Sequence, residues 1–217
     1  MEIKVMKRVL DRNQDKAEQV RALLKEKNIR MYNLISSPGA GKTTLLEQTC
    51  RHLSHSSRVG IIEGDVYTDR DAQRLKQYGF PIVLINTEGG CHLDSNSIEG
   101  ALKEFDLDRL DILFVENVGN LVCPSHFDLG ESSKIAVVST SEGDDKPIKY
   151  PMLFRDAKAV ILNKIDLLEH TNFNHDRFVE DLRQVNPTVP LFETSCTRGE
   201  GLEAWFEWLN DEVLSSE

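Results

Sequence analysis

The stretch Ser36-Ser37-Pro38-Gly39-Ala40-Gly41-Lys42-Thr43 decides the fold of this chain. An apolar run precedes the stretch and the helical pattern Thr44-Leu45-Leu46-Glu47-Gln48 follows it, which is the order of strand, loop and helix that a phosphate-binding loop requires. Its small residues let consecutive backbone N–H groups surround phosphate oxygens, and the helix N-terminus adds its positive dipole. The sequence therefore predicts a nucleotide site in a P-loop NTPase domain.

Each residue of this loop has an expected role at a bound nucleotide. Lys42 would reach the β- and γ-phosphates and act in catalysis, and the Thr43 hydroxyl would bind Mg²⁺. Ser36 stands where the usual pattern G-x-x-x-x-G-K-[ST] has its first glycine. An ordinary strand-to-helix turn would still not explain two glycines before a lysine at a helix start. The other nucleotide-binding candidates in the loop are Ser37, Pro38, Gly39, Ala40, Gly41 and Thr44.

After residue 30, seven short apolar runs rich in β-branched residues alternate with helical patterns. Most runs lack the strict alternation of a half-exposed strand, which favours a largely parallel sheet buried on both faces. We predict an α/β fold, a P-loop NTPase with a mostly parallel, doubly wound sheet flanked by helices. The predicted strands are Met31–Ile35, Val59–Glu63, Ile82–Asn86, Ile112–Glu116, Ile135–Ser139, Ala159–Asn163 and Leu191–Glu193. Helices are predicted after Lys42, around Asp71–Tyr78, and over Ser95–Phe105, His175–Val185 and Leu202–Leu214.

The N-terminal segment differs in composition from the rest of the chain. Residues 1–29 contain no glycine or proline and carry Val20, Leu23 and Leu24 among many charges, which predicts one or two amphipathic helices. Packing on the flank of the domain is the preferred interpretation, and an exposed docking arm is the alternative. We therefore expect a helical N-terminal arm over residues 1–29 and a P-loop domain over residues 30–217.

Charge and composition exclude several classes of protein. Residues 1–30 hold nine Lys and Arg against five Asp and Glu, and the remainder holds 17 against 31, so the body repels phosphodiester backbones and nucleic-acid binding is not expected. No apolar run approaches the ~20 residues that span a bilayer, and the start lacks the apolar segment of a secretory signal. We expect a soluble, cytoplasmic protein. Its four cysteines are then reduced thiols, since they do not resemble a disulfide framework.

A second motif, Asn163-Lys164-Ile165-Asp166, lies at the end of another predicted strand. The Asp166 carboxylate can accept hydrogen bonds from guanine N1–H and the 2-amino group, which adenine does not offer in that arrangement. Lys164 can cover the base plane, and Asn163 can brace the loop. The next strand ends in Thr194-Ser195-Cys196, where Ser195 and Cys196 could present a backbone N–H to the guanine oxygen. Together with the phosphate loop, this motif resembles those of P-loop GTPases, so the domain over residues 30–217 is expected to be a P-loop GTPase domain with GTP as the substrate.

Acidic residues end two strands between these loops. Glu116-Asn117-Val118-Gly119 resembles the Asp-x-x-Gly switch of GTPases with glutamate in place of aspartate, so Glu116 would hold Mg²⁺ through a water and the Gly119 N–H would sense the γ-phosphate. Asp65 and Asp71 are candidates for Mg²⁺ or for orienting the attacking water. Their alternatives are a plain strand-end carboxylate and a capping partner of Thr68.

Two cysteines and a histidine form a candidate metal site. Cys91-His92 follows two glycines, and Cys123 lies four residues past Gly119; two thiolates and an imidazole suit Zn²⁺ or Ni²⁺. A fourth ligand would come from water, from His126 or from a second copy of the chain. Because Cys123 continues the presumed switch loop, we expect metal affinity to differ between the GTP-bound and GDP-bound protein.

Four stretches together resemble the HypB family, the GTPases of [NiFe]-hydrogenase maturation, which are SIMIBI-class P-loop GTPases related to UreG. They are the phosphate loop, Gly-Gly-Cys-His-Leu-Asp (89–94), Glu-Asn-Val-Gly-Asn-Leu-Val-Cys-Pro (116–124) and Glu-Gly-Asp-Asp-Lys-Pro-Ile-Lys-Tyr-Pro (142–151). The UreG family looks less similar because its metal motif is Cys-Pro-His. The resemblance covers nearly the whole chain beyond the arm.

This resemblance implies a metal-regulated GTPase that acts as a nickel-insertion accessory factor. The expected partners are a second copy of the chain when GTP is bound, a HypA-type nickel metallochaperone and the hydrogenase large subunit. Cys91, His92 and Cys123 carry over as metal ligands at the dimer interface. Lys149 would approach nucleotide, with a solvated loop lysine as the alternative, and the same holds for Lys146.

Some family features are absent from the arm. Many members carry an N-terminal Cys-x-x-Cys-Gly-Cys motif or a histidine-rich tract, but residues 1–29 contain neither cysteine nor histidine. The site in the GTPase domain must then suffice, or a partner must supply nickel, and the basic arm could dock on an acidic surface of the metallochaperone. The alternative functions are a nickel or zinc storage protein with a structural nucleotide site, and a GTPase chaperone of another nickel enzyme such as urease.

Overall fold

The computed structural model describes residues 4–54, 56–65 and 74–214 of the chain. Of the predicted site residues, Asp71 and the side chain of Asp65 lie outside this part. The same holds for the first three residues of the helix expected around Asp71–Tyr78, of which residues 74–76 are helical and residues 77 and 78 form a turn. None of the described helices combines the length and the apolar character needed to cross a bilayer.

A seven-stranded sheet, parallel throughout, forms the centre of the fold, with the strand order β3-β2-β4-β1-β5-β6-β7. All seven predicted strands are present, and several extend one or two residues further because backbone pairing continues past the apolar run. Their bounds are β1 Arg30–Ser36, β2 Val59–Asp65, β3 Ile82–Asn86, β4 Ile112–Glu116, β5 Ser133–Ser139, β6 Ala157–Asn163 and β7 Leu191–Thr194. The prediction of a doubly wound parallel sheet is confirmed.

Helices cover both faces of this sheet. Their bounds are α1 Lys4–Glu26, α2 Lys42–Leu53, α3 Ser95–Leu102, α4 Cys123–His126, α5 Lys146–Lys149, α6 Pro151–Asp156, α7 His175–Val185 and α8 Leu202–Leu214. On one face, α2 and α8 enclose a core that includes Phe114 and Trp205. On the other face, α1 and α3 cover one half of the sheet and α6 and α7 cover the other. The short helices α4, α5 and α6 were not expected from the sequence, since four to six residues give no periodicity to detect.

Helix α1 packs on the domain. Val20 and Leu24 are buried in the same cluster as Ile98 and Leu102 of α3. Two cations of the helix pair with carboxylates of the body, Lys16 with Glu99 and Arg21 with Asp128, and Lys27 directly after the helix pairs with Asp108. The positive charge of the segment therefore complements the acidic domain beneath it. The division of the chain at residues 29 and 30 stays a prediction.

The functional motifs meet at the carboxyl edge of the sheet. Because every strand runs in the same direction, the loops that follow β1, β2, β4 and β6 emerge at this edge. The register places Leu34 opposite Glu116 and Glu116 opposite Glu63. The phosphate loop after β1 is thus flanked by the acidic end of β4, as the rule for ligand sites in open α/β sheets predicts.

Candidate functional site

The phosphate loop forms the floor of a cleft of about 530 Å³. Gly39 and Gly41 adopt φ angles of +78° and +103°, a left-handed backbone that glycine tolerates without strain. Lys42 is largely buried at the start of α2, and its Nζ donates to Ser36 Oγ over 2.8 Å. Ser36, the departure from the usual glycine, therefore holds the lysine side chain. The cleft is lined by Pro38, Gly39, Gly41, Lys42, Thr43, Thr44, Glu63, Gly64, Arg74, Glu116, Asn117, Val118, Gly119 and Lys164.

A hydroxyl and a carboxylate meet beside this loop. Thr43 Oγ1 donates to Glu116 Oε1 over 2.8 Å, and both residues are buried. Glu63, which is 2% exposed, lies in register with Glu116 on the neighbouring strand, two residues before that strand ends, and it also lines the cleft. Hard oxygen donors of this kind fit Mg²⁺, which keeps several of its waters and takes few protein ligands. The residues present therefore fit the metal that the sequence predicts.

Sequence reasoning did not select five of the residues that line the cleft: Glu63, Gly64, Arg74, Asn117 and Val118. Glu63 could have been found, because it ends a predicted strand as Glu116 does. Arg74 could not have been found, because its guanidinium contacts Thr44 and Glu47 of α2, which only the fold brings near it. Asn117 and Val118 were quoted only as part of the switch motif.

The base motif contacts the phosphate loop from the other side. Asn163 Nδ2 donates to Ala40 O over 2.9 Å, and its Oδ1 accepts the Cys196 N–H over 3.1 Å. Lys164 has a left-handed backbone with φ +61°, and its Nζ donates to Gly39 O over 2.6 Å. The side chain of Asn163 thus ties three segments that are distant in sequence, and Lys164 lies across the cleft.

The remaining base-site candidates have defined surroundings. The Asp166 carboxylate is half-buried, and Arg198 Nε approaches its Oδ2 to 3.8 Å. The Ser195 N–H donates to Glu200 O, so both backbone donors of the Ser195-Cys196 turn are engaged within the protein. Burial raises the pKa of the Cys196 thiol to about 11. Lys149 lies on α5 with its Nζ 5.9 Å from the Tyr150 ring centroid, and it is not among the residues that line the cleft.

Cys91, His92 and Cys123 come together at the surface. Their ligand atoms all lie within 4.8 Å of one another, and Cys91 Sγ is 3.4 Å from His92 Nδ1. Cys91 is exposed, while the other two are half-buried. A hydrogen bond with Cys123 raises the pKa of the Cys91 thiol, and burial lowers the pKa of His92. Two sulfurs and one nitrogen suit a borderline-soft ion such as Ni²⁺ or Zn²⁺.

The other cysteines and His126 are not part of this cluster. Burial raises the pKa of Cys50 to about 12, so this thiol stays protonated within the core on α2. Of the sources considered for a fourth ligand, His126 does not join the group of mutually close donor atoms found in the described part of the chain. Water or a second copy of the chain are the sources that stay open.

One loop joins the cleft to the cluster. Gly119 lies so close to the phosphate loop that a Cβ on it would stand 3.0 Å from Pro38 Cα. Four residues later the same loop supplies Cys123, and within it Asn120 Nδ2 reaches the carbonyl oxygen of Cys91 at 3.4 Å. A change beside Pro38 therefore has a short covalent path to a metal ligand.

Comparison with known proteins identifies relatives along most of the chain. The family model of the CobW/HypB/UreG nucleotide-binding domain matches residues 30–193. The hydrogenase maturation factor HypB of Escherichia coli K12 is 47% identical over 201 residues, which cover 93% of this chain and 69% of that protein. The hydrogenase/urease maturation factor HypB of Helicobacter hepaticus is 44% identical over 204 residues, which cover 92% of this chain and 84% of that protein.

A solved structure has the same fold. The crystal structure of HypB from Helicobacter pylori in complex with nickel superposes with a TM-score of 0.88 at 38% identity, covering 94% of this chain and 96% of that one. The resemblance inferred from the motifs is therefore confirmed by sequence and by fold. The chain belongs to the CobW/HypB/UreG family of nucleotide-binding proteins, as a HypB-type member.

Proposed function

We propose that this protein is a metal-regulated GTPase that acts as a nickel-insertion accessory factor in [NiFe]-hydrogenase maturation. The observation that carries the proposal is the loop of residues 116–123, which lines the phosphate cleft at Gly119 and supplies Cys123 to the metal cluster. GTP and water would react to GDP and phosphate in the cleft. Nickel is the cargo of this reaction cycle and is bound at the cluster.

Hydrolysis in such a site depends on positioning and on neutralising charge. Lys42 would move from Ser36 to the β- and γ-phosphates, and the backbone N–H groups of the phosphate loop would surround their oxygens. Mg²⁺, held by Thr43 with Glu116 behind it and Asp65 as a further candidate, would supply positive charge to the developing phosphate oxygens. Asp65 or Asp71 would orient the attacking water.

Guanine selection is assigned to the base motif. Asp166 would accept two hydrogen bonds from guanine, and an adenine would leave this half-buried carboxylate without those donors. Asn163 keeps the base motif fixed to the phosphate loop through Ala40. Ser195 or Cys196 would have to share its backbone N–H to reach the guanine oxygen, since each already donates within the protein. Lys149 would reach nucleotide only from a facing subunit.

The cluster supports a dimer that forms when GTP is bound. It offers three ligand atoms, one fewer than the tetrahedral set that Zn²⁺ takes, and Cys91 is exposed. Val122, next to Cys123, exposes 47% of its surface. A second copy of the chain would cover this apolar side chain and complete the coordination. The thiols must also stay reduced, which agrees with a cytoplasmic location.

The partners follow from the cargo. A HypA-type nickel metallochaperone would exchange nickel with the cluster, and the hydrogenase large subunit would receive it. A urease is a second candidate recipient, because the relative from Helicobacter hepaticus is named as a maturation factor for hydrogenase and urease. A storage protein with a structural nucleotide site is disfavoured, because three surface ligands hold little metal and the switch loop would then have no purpose.

One sample can test the proposal. We would measure phosphate release over many turnovers, nickel stoichiometry and native mass with GDP and with a non-hydrolysable GTP analogue. The wild type should release phosphate from GTP, and with the analogue bound it should form a dimer whose two chains share nickel. Lys42→Ala should release no phosphate, and Cys123→Ala should lose the shared ion. Equal nickel content and mass with both nucleotides, or equal phosphate release by Lys42→Ala, would contradict the proposal.

A further inference from the structure

Asn117 is a buried amide between the phosphate cleft and the metal cluster, and it is 1% exposed. Its Oδ1 accepts two backbone N–H groups, from Val118 over 3.0 Å and from Leu93 over 3.1 Å. Its Nδ2 donates to Asn33 Oδ1 over 3.1 Å. Because both backbone groups are donors, the atom that faces them must be the oxygen, and the orientation of the amide is fixed.

The two donors belong to the two functional regions. Val118 precedes Gly119, the residue that lies against Pro38 of the phosphate loop. Leu93 directly follows His92 of the metal cluster. One side-chain oxygen therefore joins the switch loop to the segment that carries two of the three metal ligands, although the two segments are more than twenty residues apart in the chain.

The side chain of Leu93 makes a second contact with the cleft. Leu93 is buried, and a Cβ on Gly64 would stand only 2.8 Å from its Cδ1. Gly64 lines the phosphate cleft at the end of β2. The segment after His92 therefore packs closely against the cleft and is also hydrogen-bonded to the switch loop. Because the packing is tight, a displacement of the cleft residues is transmitted to this segment.

The third bond of Asn117 holds the amide to the interior of the sheet. Asn33, on β1, is fully buried and donates to Glu131 Oε1 over 3.3 Å. Glu131 in turn accepts the Leu129 N–H over 2.6 Å. This end of the network belongs to the central strand and the loop before β5, and neither Asn33 nor Glu131 is among the residues that line the cleft, so these two residues form an anchor for the amide. When Val118 shifts, the amide must rotate about this anchor or leave a buried N–H group unsatisfied, which is costly.

We propose that Asn117 is the positioning residue that couples the state of the switch loop to the geometry of the metal cluster, by holding the N–H groups of Val118 and Leu93 on one oxygen. This inference rests on the proposed function, because it assumes that nucleotide state changes metal affinity. It adds the group through which the change passes: besides the covalent path to Cys123, a hydrogen bond reaches the Cys91 and His92 side of the cluster.

Asn13 of α1 provides a matched comparison. Its Oδ1 accepts the Ser95 N–H over 2.9 Å, and its Nδ2 donates to Asp128 O over 2.8 Å. It is a buried asparagine that holds the same segment two residues further along. However, it extends from a helix that does not line the cleft. Loss of Asn13 should loosen the segment equally in both nucleotide states.

The experiment measures nickel affinity by chelator competition, with saturating GDP and with a saturating non-hydrolysable GTP analogue. The ratio of the two dissociation constants reports the coupling, and functional couplings are typically about 5- to 150-fold. In Asn117→Ala the ratio should fall to within about twofold of one. Asn117→Asp keeps an oxygen for both N–H groups but cannot donate to Asn33 Oδ1, so its ratio should lie between those of Asn117→Ala and the wild type. Asn13→Ala should weaken nickel binding in both states and leave the ratio as it is.

A measurement on the wild type covers the case in which Asn117→Ala does not fold. Amide hydrogen exchange should change at Leu93 and Val118 together when the GTP analogue replaces GDP. A change at Val118 with an unaltered Leu93 would overturn the inference. So would an unchanged ratio in Asn117→Ala, a ratio in Asn117→Asp as low as that in Asn117→Ala, or a ratio lost equally in Asn13→Ala. A wild-type ratio of one would instead overturn the proposed function, and this inference with it.

Discussion

The phosphate cleft and the Cys91/His92/Cys123 cluster adjoin one loop, but they are built differently. In the cleft, Lys42 and Glu116 are less than a tenth exposed, and each is already hydrogen-bonded to a neighbour in the same chain. In the cluster, Cys91 is exposed and the ligand atoms lie close to one another at the surface. The first site is preorganised within one chain, whereas the second leaves coordination positions open.

This difference suggests a division of roles. A preorganised, buried site binds its ligand at little cost in entropy, which suits the proposed nucleotide site. A partly open surface cluster can gain or lose a ligand when a neighbouring chain approaches, which suits a site that takes up and releases a metal ion. We therefore expect substitutions in the cleft to change nucleotide chemistry strongly, and substitutions in the cluster to change metal binding without affecting folding.

The largest expected effect is on guanine recognition. Asp166→Asn removes a charged acceptor of two hydrogen bonds worth about 1.5 to 3 kcal/mol each, so GTP affinity should fall by about 10² to 10⁴. Xanthosine triphosphate, whose 2-oxo group can accept from the new amide, should bind better than GTP. Titration with fluorescent analogues measures both. The control is Glu169→Gln, which removes a charge from an exposed position on the same segment; an equal loss in both variants would show that general charge is responsible.

The next effect is on metal affinity. Cys91→Ser should weaken nickel binding by about 100-fold or more, because loss of outer-shell partners alone costs about 10- to 100-fold. Its free energy of unfolding should stay within about 0.5 kcal/mol of the wild type, since the residue is exposed. Cys50→Ser gives the reverse control, because a hydroxyl buried on α2 should cost about 1 to 3 kcal/mol and leave nickel affinity unchanged. Chelator competition and urea unfolding separate the two. Loss of nickel binding in Cys50→Ser would contradict the assignment of the cluster.

The smallest effect concerns the attachment of α1 next to the cluster. Arg21 Nη2 lies 2.6 and 2.7 Å from the two carboxylate oxygens of Asp128, five residues past Cys123. Burial alone would raise the pKa of Asp128, but the hydrogen bonds from Arg21 and the Gly130 N–H outweigh it, and the pKa lies below its usual range. Arg21→Gln should lower the free energy of unfolding by about 1 kcal/mol at pH 7.

The pH dependence of that loss has a definite sign. Because the folded-state pKa of Asp128 is depressed, its stabilisation is present above the unfolded pKa of about 3.9 and is lost as the pH falls through the folded value. The difference between the wild type and Arg21→Gln should therefore vanish in acid, as urea unfolding at a series of pH values can measure. A difference that grows on acidification would show that Arg21 acts through another partner.

Much of the architecture was predictable from local patterns. The seven strands were found because each is a short apolar run, and α7 and α8 were found because their apolar periodicity spans their full length. The phosphate loop and the base motif were recognisable because each combines a few residue types at fixed spacing after a strand. Asp71 and the Asp65 side chain stay predictions, since they lie outside the described residues.

Other features could not be found in this way. Asn117 was quoted only as the second residue of a switch motif, because nothing near it in sequence indicates that Leu93 and Asn33 are its partners. Arg74 was missed for the same reason. The attachment of α1 through Asn13 and Arg21 depends on which faces of the sheet the helices cover, and amphipathic periodicity reports that a face is buried without naming its partner.

The amino-acid sequence by itself determined the seven strands, the phosphate loop and the residue types of the candidate metal cluster, because hydrophobic periodicity, glycine geometry and donor chemistry act over a few neighbouring residues. Only the tertiary structure decided the order of the strands, the meeting of Cys91 and His92 with Cys123, and the bonds of the Asn117 amide. These depend on packing between segments tens of residues apart, where burial of both sheet faces selects one arrangement and obliges each enclosed polar group to find a partner.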